Sequence, residues 1–267
     1  MNDFILYIWQ SFYVTVFTFI LAFGIPLFLA FIQNFISGTS ERLSNDILGG
    51  TIYKVFVSSI GVPIHEAGHA IFALIFGHKI TEIKLFKRDS SDGRLGYVNH
   101  TYNKKNIYQN IGNFFIGIGP VIFGTLILYI LSRILFSYDL SERYSSDLKI
   151  FDQVRLIFKG AFGLLAGVFS SGSFWKSFIF LYLVFAIGNN ITLSKADLKG
   201  TFSGLWILIL VLFLINFATL WLTNFASEFI LIVGRLASGF SLILGISIVL
   251  NLVFLGLLIV LKRLFNR

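Results

Sequence analysis

Several runs of apolar residues in this chain are long enough to cross a lipid bilayer as helices. Residues Ile5 to Ile36 are almost wholly apolar, and two further runs cover Thr201 to Thr223 and Glu228 to Leu264. A helix needs about 20 such residues to span the hydrocarbon core. Only 13% of the residues are charged and 56% are hydrophobic, whereas about a quarter are charged in soluble domains. The chain is therefore predicted to be an all-α polytopic integral membrane protein.

The remaining polar stretches are too short for a separate soluble domain, so residues 1–267 are predicted to form a single membrane domain. A net charge of +8 would suggest nucleic-acid binding in a soluble protein, but here the Lys and Arg residues lie in short loops beside the apolar runs. That distribution is typical of the positive-inside rule. We therefore expect the protein to contact the lipid bilayer and not to bind nucleic acid. The chain has no cysteine, so no metal can be held by thiolates.

The order of apolar runs and polar loops predicts about six transmembrane helices, with a small β-hairpin after the second. The predicted spans are Ile5 to Ile36, Leu48 to Gly77, Ile111 to Phe136, Phe174 to Ile191, Thr201 to Thr223 and Glu228 to Leu264. The first is expected to tilt or kink at Pro26 and to be followed by a polar loop from Ser37 to Asn45. The Gly-rich segment Gln153 to Gly172 is either interfacial or re-entrant.

Six spans place both termini on the same side of the membrane. If the basic C-terminal residues Lys262, Arg263 and Arg267 are cytoplasmic, the N-terminus and the Lys-rich segment Lys79 to Lys105 are cytoplasmic too. The loop around Glu41 and Asp46 then lies on the opposite side. The expected location is a bacterial inner (cytoplasmic) membrane.

The β-hairpin is predicted from residues Lys79 to Phe86, which alternate between polar and apolar with a period of two. A turn containing Ser-Asp-Gly falls within Asp89 to Arg94, and Leu95 to Tyr102 can return as the second strand. Two interpretations are open. The edge of the hairpin could capture an extended substrate by backbone pairing, or the hairpin could be a surface feature without a partner.

The second apolar run contains a His-Glu-x-x-His (HExxH) motif formed by His65, Glu66 and His69. Residues four apart on a helix share one face, about 6 Å apart along the axis, so both histidines can bind one metal ion. Zinc lowers the pKa of a bound water towards about 7, and Glu66 can accept the proton as that water attacks a carbonyl. The alternative is a structural pair of helix histidines with Glu66 as counter-ion. The high cost of ionisable groups within a span favours the metal site.

A catalytic zinc site usually has three protein ligands and one open position. Asp197 is the favoured third ligand, because it lies between two apolar runs on the same predicted side as the two histidines. Ser194 and Asp197 also have the spacing of a helix capping box, so a purely structural role for Asp197 is the alternative. His78 and His100, which follow the metal helix, are further possible ligands.

The chain resembles the site-2 protease family of intramembrane zinc metalloproteases (peptidase family M50), as a divergent member. The resemblance covers the motif from His65 to His69, the Gly119-Pro120 pair in the next apolar run, and Asn189 eight residues before Asp197. It implies that His65, His69 and Asp197 bind zinc, that Glu66 is the general base and that Asn189 lies near the substrate carbonyl. The sequence departs from the family pattern at Phe123, Thr192, Ser194 and Leu198.

These features predict a zinc-dependent intramembrane endopeptidase that hydrolyses peptide bonds in or near transmembrane segments. Its substrate is expected to be another membrane protein. The alternative is a non-catalytic membrane scaffold that uses the metal for stability or for partner binding. Glu66 argues against the scaffold, because metal binding alone needs no base beside the water.

Overall fold

The computed structural model describes residues 3–87, 94–137, 150–221 and 223–265. These residues are almost entirely helical, as the sequence predicts, apart from one two-stranded sheet. The helices are α1 (Asp3–Phe19), α2 (Ile25–Leu48), α3 (Gly50–Tyr53), α4 (Ser59–Ile75), α5 (Ile107–Gly117), α6 (Gly119–Phe136), α7 (Ile150–Ser170), α8 (Phe174–Gly188), α9 (Lys195–Thr219) and α10 (Thr223–Phe265). The strands are β1 (Lys79–Lys84) and β2 (Tyr97–Thr101).

The first apolar run belongs to a continuous helical segment that is longer than predicted. A π-helical turn at Ile20–Gly24 joins α1 to α2, and the whole segment covers 46 residues. Pro26 lies in the first turn of α2, directly after the π-helical turn. Proline has no backbone N–H to donate, so the helical hydrogen bond that is missing at Pro26 lies next to this irregular turn. The predicted loop from Ser37 to Asn45 is helical, and its serines at helical spacing lie on the buried face of α2.

Four described segments are long and apolar enough to cross a membrane: Asp3–Leu48, Gly119–Phe136, Lys195–Thr219 and Ile232–Leu264. They support a membrane protein, but they do not confirm the predicted count of six spans. The second predicted span corresponds to the continuous helical residues 50–75, which follow Gly49 with its positive φ of 78° and include a π-helical turn between α3 and α4, but this segment is not one of the four. The fourth predicted span corresponds to α8, which has 15 residues, fewer than the roughly 20 of a perpendicular crossing.

α2 and α10 make the most extensive helix contact among the described elements, and they run in the same direction. Lys262 Nζ lies 3.7 Å from Asp46 Oδ2, which joins the C-terminal ends of the two helices. The start of α1 is near the end of α9, where the rings of Tyr7 and Phe217 are 5.2 Å apart. A helix of 46 residues, roughly 70 Å long, separates that end from Asp46. Asp46 therefore lies close to the C-terminal end of α10, whereas the sides of the membrane on which the two termini lie stay a prediction.

The hairpin after α4 is antiparallel, as predicted from the alternating sequence. Ile83 pairs with Val98 and Lys84 with Tyr97, and the register shifts between Ile80 and Glu82. The predicted turn between the strands falls largely on residues 88–93, which lie outside the described residues. Both strands contact α4, so the hairpin is packed against the helix that carries the His-Glu-x-x-His motif.

The main hydrophobic core lies between α2, α6, α7, α8 and α10. Its fully buried side chains include Leu128, Leu164, Phe180, Ile243 and Leu244. α7 covers most of the segment 153–172, for which the sequence left two interpretations, and it contributes buried residues to this core. The residues before it, 138–149, lie outside the described part of the chain. The core holds α8 in place, and the chain leaving α8 leads directly to the candidate site.

Candidate metal centre

Three side chains from two distant parts of the chain converge at one point. His65 and His69 lie one turn apart on α4, and Asp197 lies in the first turn of α9. The two Nε2 atoms are 3.2 Å apart, and His69 Nε2 is also 3.2 Å from Asp197 Oδ1. Their ligand atoms all lie within 4.8 Å of one another. The structure therefore brings together the three residues that the sequence proposes as ligands.

The second ring nitrogen of each histidine is bonded to a backbone carbonyl. His65 Nδ1 donates to Asn190 O and His69 Nδ1 donates to Ile116 O, both at 2.7 Å. A carbonyl oxygen only accepts, so Nδ1 carries a proton in both rings, and a ring without a second proton turns the lone pair of Nε2 towards the other histidine. These two lone pairs and the nearby carboxylate repel one another unless a proton or a cation lies between them. The donor set thus fits a metal ion, and the carbonyls orient its ligands.

Asp197 uses its two carboxylate oxygens for different purposes. Oδ2 accepts a hydrogen bond from the backbone N–H of Ser194 at 2.7 Å, and Ser194 Oγ accepts one from the N–H of Asp197 at 3.1 Å. This is the capping box that the sequence offered as the alternative to a metal ligand. Oδ1 is the atom that faces His69. The two interpretations are compatible, because capping α9 fixes the carboxylate beside the histidines.

Glycines allow α4 to approach its neighbours closely. A Cβ atom on Gly68 would lie 2.8 Å from the backbone of Gly119 and Pro120, the pair that carries part of the family resemblance. Gly61 likewise leaves no space for a side chain beside the carbonyl of Ala186. Small residues are typical of close helix packing in membranes. These contacts hold α4 against α6 and α8, and so place His65 and His69 beside the chain that leads into α9.

Glu66 lies at the edge of a cavity that also contains the three ligands. The cavity has a volume of about 580 Å³, and Glu66 is 7% exposed. A Cβ atom on Gly96 would lie 2.7 Å from Glu66 Cγ and 2.8 Å from Val62 Cγ1, so the start of β2 packs directly on the motif. This packing keeps the carboxylate beside the ligands and shields it from bulk water.

One strand of the hairpin borders this cavity. The segment 95–100, which includes most of β2, lines it, whereas the residues of β1 do not. β2 pairs with β1 along one edge only. Among the described strands, nothing pairs with its second edge. The sequence predicted the hairpin but could not indicate which strand would lie beside the ligands.

Asn189, the predicted substrate-binding residue, is buried beside the cavity instead of lining it. Its amide donates to Phe185 O at 2.8 Å, and its Oδ1 accepts from the Tyr53 hydroxyl at 3.2 Å. The neighbouring Asn190 lines the cavity and supplies the carbonyl that holds His65. At the end of α8, Asn189 therefore makes hydrogen bonds within the protein interior, whereas Asn190 faces the site.

His78 and His100, the other possible ligands, are paired with each other. Their Nδ1 atoms are 2.9 Å apart, and His78 Nε2 donates to Gln109 O at 2.8 Å. His100 lines the cavity, but it is outside the group of converging ligand atoms. Burial lowers the pKa of His100, and the neighbouring His78 and His69 lower it further. A neutral His100 is therefore expected near pH 7.

Two residues that the sequence did not single out contribute to the site. Ile116 orients His69 through its backbone carbonyl. Every residue has such a carbonyl, so the amino-acid type at this position could not reveal the role. Asn113 is 5% exposed and lines the cavity, and its amide nitrogen, Nδ2, has no hydrogen-bond partner among the described residues. A buried polar residue within an apolar run is a signal that could have identified Asn113.

Comparisons of the chain with family models, with curated proteins and with solved structures gave no match.

Proposed function

We propose that this chain is a zinc-dependent intramembrane endopeptidase that cleaves peptide bonds in or near transmembrane segments of other membrane proteins. The observation that carries the proposal is the convergence of His65, His69 and Asp197 beside Glu66 in one cavity. Two imidazoles and a carboxylate, with one position open, match the donor sets of catalytic zinc sites. Structural zinc sites usually have four protein ligands, whereas the described residues offer a group of three.

The chemistry follows from the roles that these residues can take. A zinc ion held there would lower the pKa of a bound water and polarise the carbonyl of the scissile bond. Glu66 accepts the proton of the attacking water and passes it to the leaving amine. Asn113 lines the same cavity as these residues. The low exposure of Glu66 and Asn113 keeps both groups out of bulk water.

The substrate segment is proposed to bind as an additional strand on β2. Residues of β2 line the cavity, and no described strand pairs with its second edge, so an extended peptide can pair there next to the residues that line the site. A transmembrane helix must unwind locally to bind in this way, because its own backbone groups are paired within the helix. Segments with helix-breaking residues are therefore the preferred substrates.

The proposed location is a bacterial cytoplasmic membrane. The packing of α2 with α10 favours termini on opposite sides, with the basic end at Lys262 in the cytoplasm. Reporter fusions at the two ends of the chain would then report opposite compartments. If both fusions reported the same compartment, the result would instead support the prediction from the sequence that both termini are cytoplasmic.

The test of the proposed function is cleavage of membrane peptides by the purified protein. We expect cleavage within or beside apolar segments, loss of cleavage with a zinc chelator and recovery when zinc is added back. N-methylation of backbone positions near the cleaved bond should slow the reaction, because it removes the N–H groups that a strand uses for pairing. A protein that binds zinc and cleaves none of a broad panel of membrane peptides would favour the scaffold.

A further inference from the structure

Buried polar atoms without hydrogen-bond partners are concentrated where α2 packs against α10. Among the described residues eight such side-chain atoms occur, and seven belong to these two helices. They are Gln33 Oε1, Ser40 Oγ and Ser44 Oγ on α2, and Ser241 Oγ, Ser247 Oγ, Asn251 Oδ1 and Asn251 Nδ2 on α10. None of these residues is more than 1% exposed. We refer to these six residues as the polar seam.

The polar seam follows the interface between the two helices. Gln33, Ser40 and Ser44 share the buried face of α2, and Ser247 and Asn251 are four residues apart on α10. At the seam residue nearest the start of α2, Gln33 Nε2 donates to Gly188 O at 2.9 Å. A Cβ atom on Gly188 would collide with Ser247 Oγ, so both helices of the seam meet at Gly188. Beyond the other end lies the ion pair between Asp46 and Lys262.

The hydroxyl groups of the seam differ from other buried hydroxyl groups of this protein. Ser11 and Thr125 donate to the carbonyl four residues earlier, and Ser132 donates to the carbonyl of Tyr129. The unpartnered serines of the seam make no such bond to their own helix. Burial of a polar group without a partner is costly, and ordered water is the usual partner where several polar groups face one space. The seam therefore has the groups that buried water needs.

We propose that the polar seam binds a file of ordered water molecules between α2 and α10. The file extends from the end marked by Asp46 and Lys262 to Gly188, two residues before the carbonyl of Asn190 that holds His65. Glu41, which follows Ser40 on α2, lines the cavity of the metal centre. The seam thus gives water and protons a route along an otherwise apolar interface to the inner side of the site. This proposal does not depend on the proposed peptidase activity.

Single cysteines can test the proposal, because the native chain has none. Ser40→Cys and Ser247→Cys place a thiol in the seam. Ser11→Cys and Ser132→Cys are matched controls, because these serines are equally buried, at 0% exposure, but are bonded to their own helix. Membrane vesicles are treated with Ag⁺, which is small and reaches a thiol through water, and are then denatured and labelled with a fluorescent maleimide. Ag⁺ binds the thiolate form of cysteine, and a cysteine ionises to the thiolate more readily beside water than in an apolar interior.

We expect Ag⁺ to abolish maleimide labelling of the two seam variants and to leave labelling of the two controls intact. If Ag⁺ changed maleimide labelling of the seam variants and of the control variants to the same extent, the proposal would be overturned.

Asn251→Leu provides a second measurement that needs no cysteine. In a hydrated seam this change removes a partner of the waters and lowers Tm, whereas in a dry seam it removes an unpaired amide and raises Tm. A rise in Tm would also overturn the proposal.

Discussion

Replacing Glu66 with glutamine is expected to reduce peptide hydrolysis by roughly 10²–10⁴-fold and to leave the metal bound. Glutamine preserves the shape of the side chain but cannot accept the proton of the attacking water. Glu66 lies in the cavity but outside the group of three converging ligand atoms, so the metal should not depend on it. Cleavage rate and metal content are measured on the same preparation, with His69→Ala as the variant that loses both.

Two outcomes would contradict this role of Glu66. Wild-type cleavage by Glu66→Gln would remove the residue from the reaction. Loss of metal together with activity would make Glu66 a ligand and would require a different general base. The scaffold alternative predicts that neither wild-type protein nor variant cleaves any peptide, although both bind metal.

Gly68→Ala is expected to destabilise the fold and to weaken metal binding. The added Cβ atom would lie 2.8 Å from main-chain atoms of Gly119 and Pro120, which cannot rotate away as a flexible side chain would. Overpacking of this kind costs typically about 1–3 kcal/mol, and each kcal/mol lowers Tm by roughly 2–4 °C in a chain of this size. Separation of α4 from α6 also moves His69, the next residue. Thermal unfolding and metal content measure the two effects.

Gly38→Ala is the matched control for this prediction. Gly38 also lies within a helix, but a Cβ atom there would have no neighbour within 4 Å in the described part of the chain. Alanine restricts the unfolded chain and favours the helix, so Tm should stay the same or rise slightly. If both variants unfolded at the same temperature, the close contact between Gly68 and Gly119 would have no importance for stability.

The residues of the motif could be predicted because helix periodicity alone places His65, Glu66 and His69 together. Asp197 could be proposed from its position between apolar runs, but its proximity to His69 depends on how α9 packs against α5. The capping box and metal binding could both be assigned to Asp197 from the sequence, but a sequence cannot say which of the two carboxylate oxygens serves each role. In the structure Oδ2 caps α9 and Oδ1 faces His69.

Other features depend on packing between distant segments and left no clear pattern in the sequence. The serines from Ser37 to Ser44 suggested a polar loop, but α2 continues through them because α10 covers that face. The parallel direction of α2 and α10 could not be inferred from counting spans, since a count assumes that each apolar run crosses once. Asn189 matched a family motif by spacing, yet it is Asn190 that faces the cavity.

The most direct test of the metal centre compares the metal content of Asp197→Ala with that of Ser194→Ala. Both variants break the capping box at the start of α9, but only Asp197→Ala removes the oxygen that faces His69. We predict that purified Ser194→Ala retains about one metal ion per chain and that Asp197→Ala loses it, because a site with two protein ligands holds zinc poorly. Equal metal content in the two variants would contradict Asp197 as a ligand.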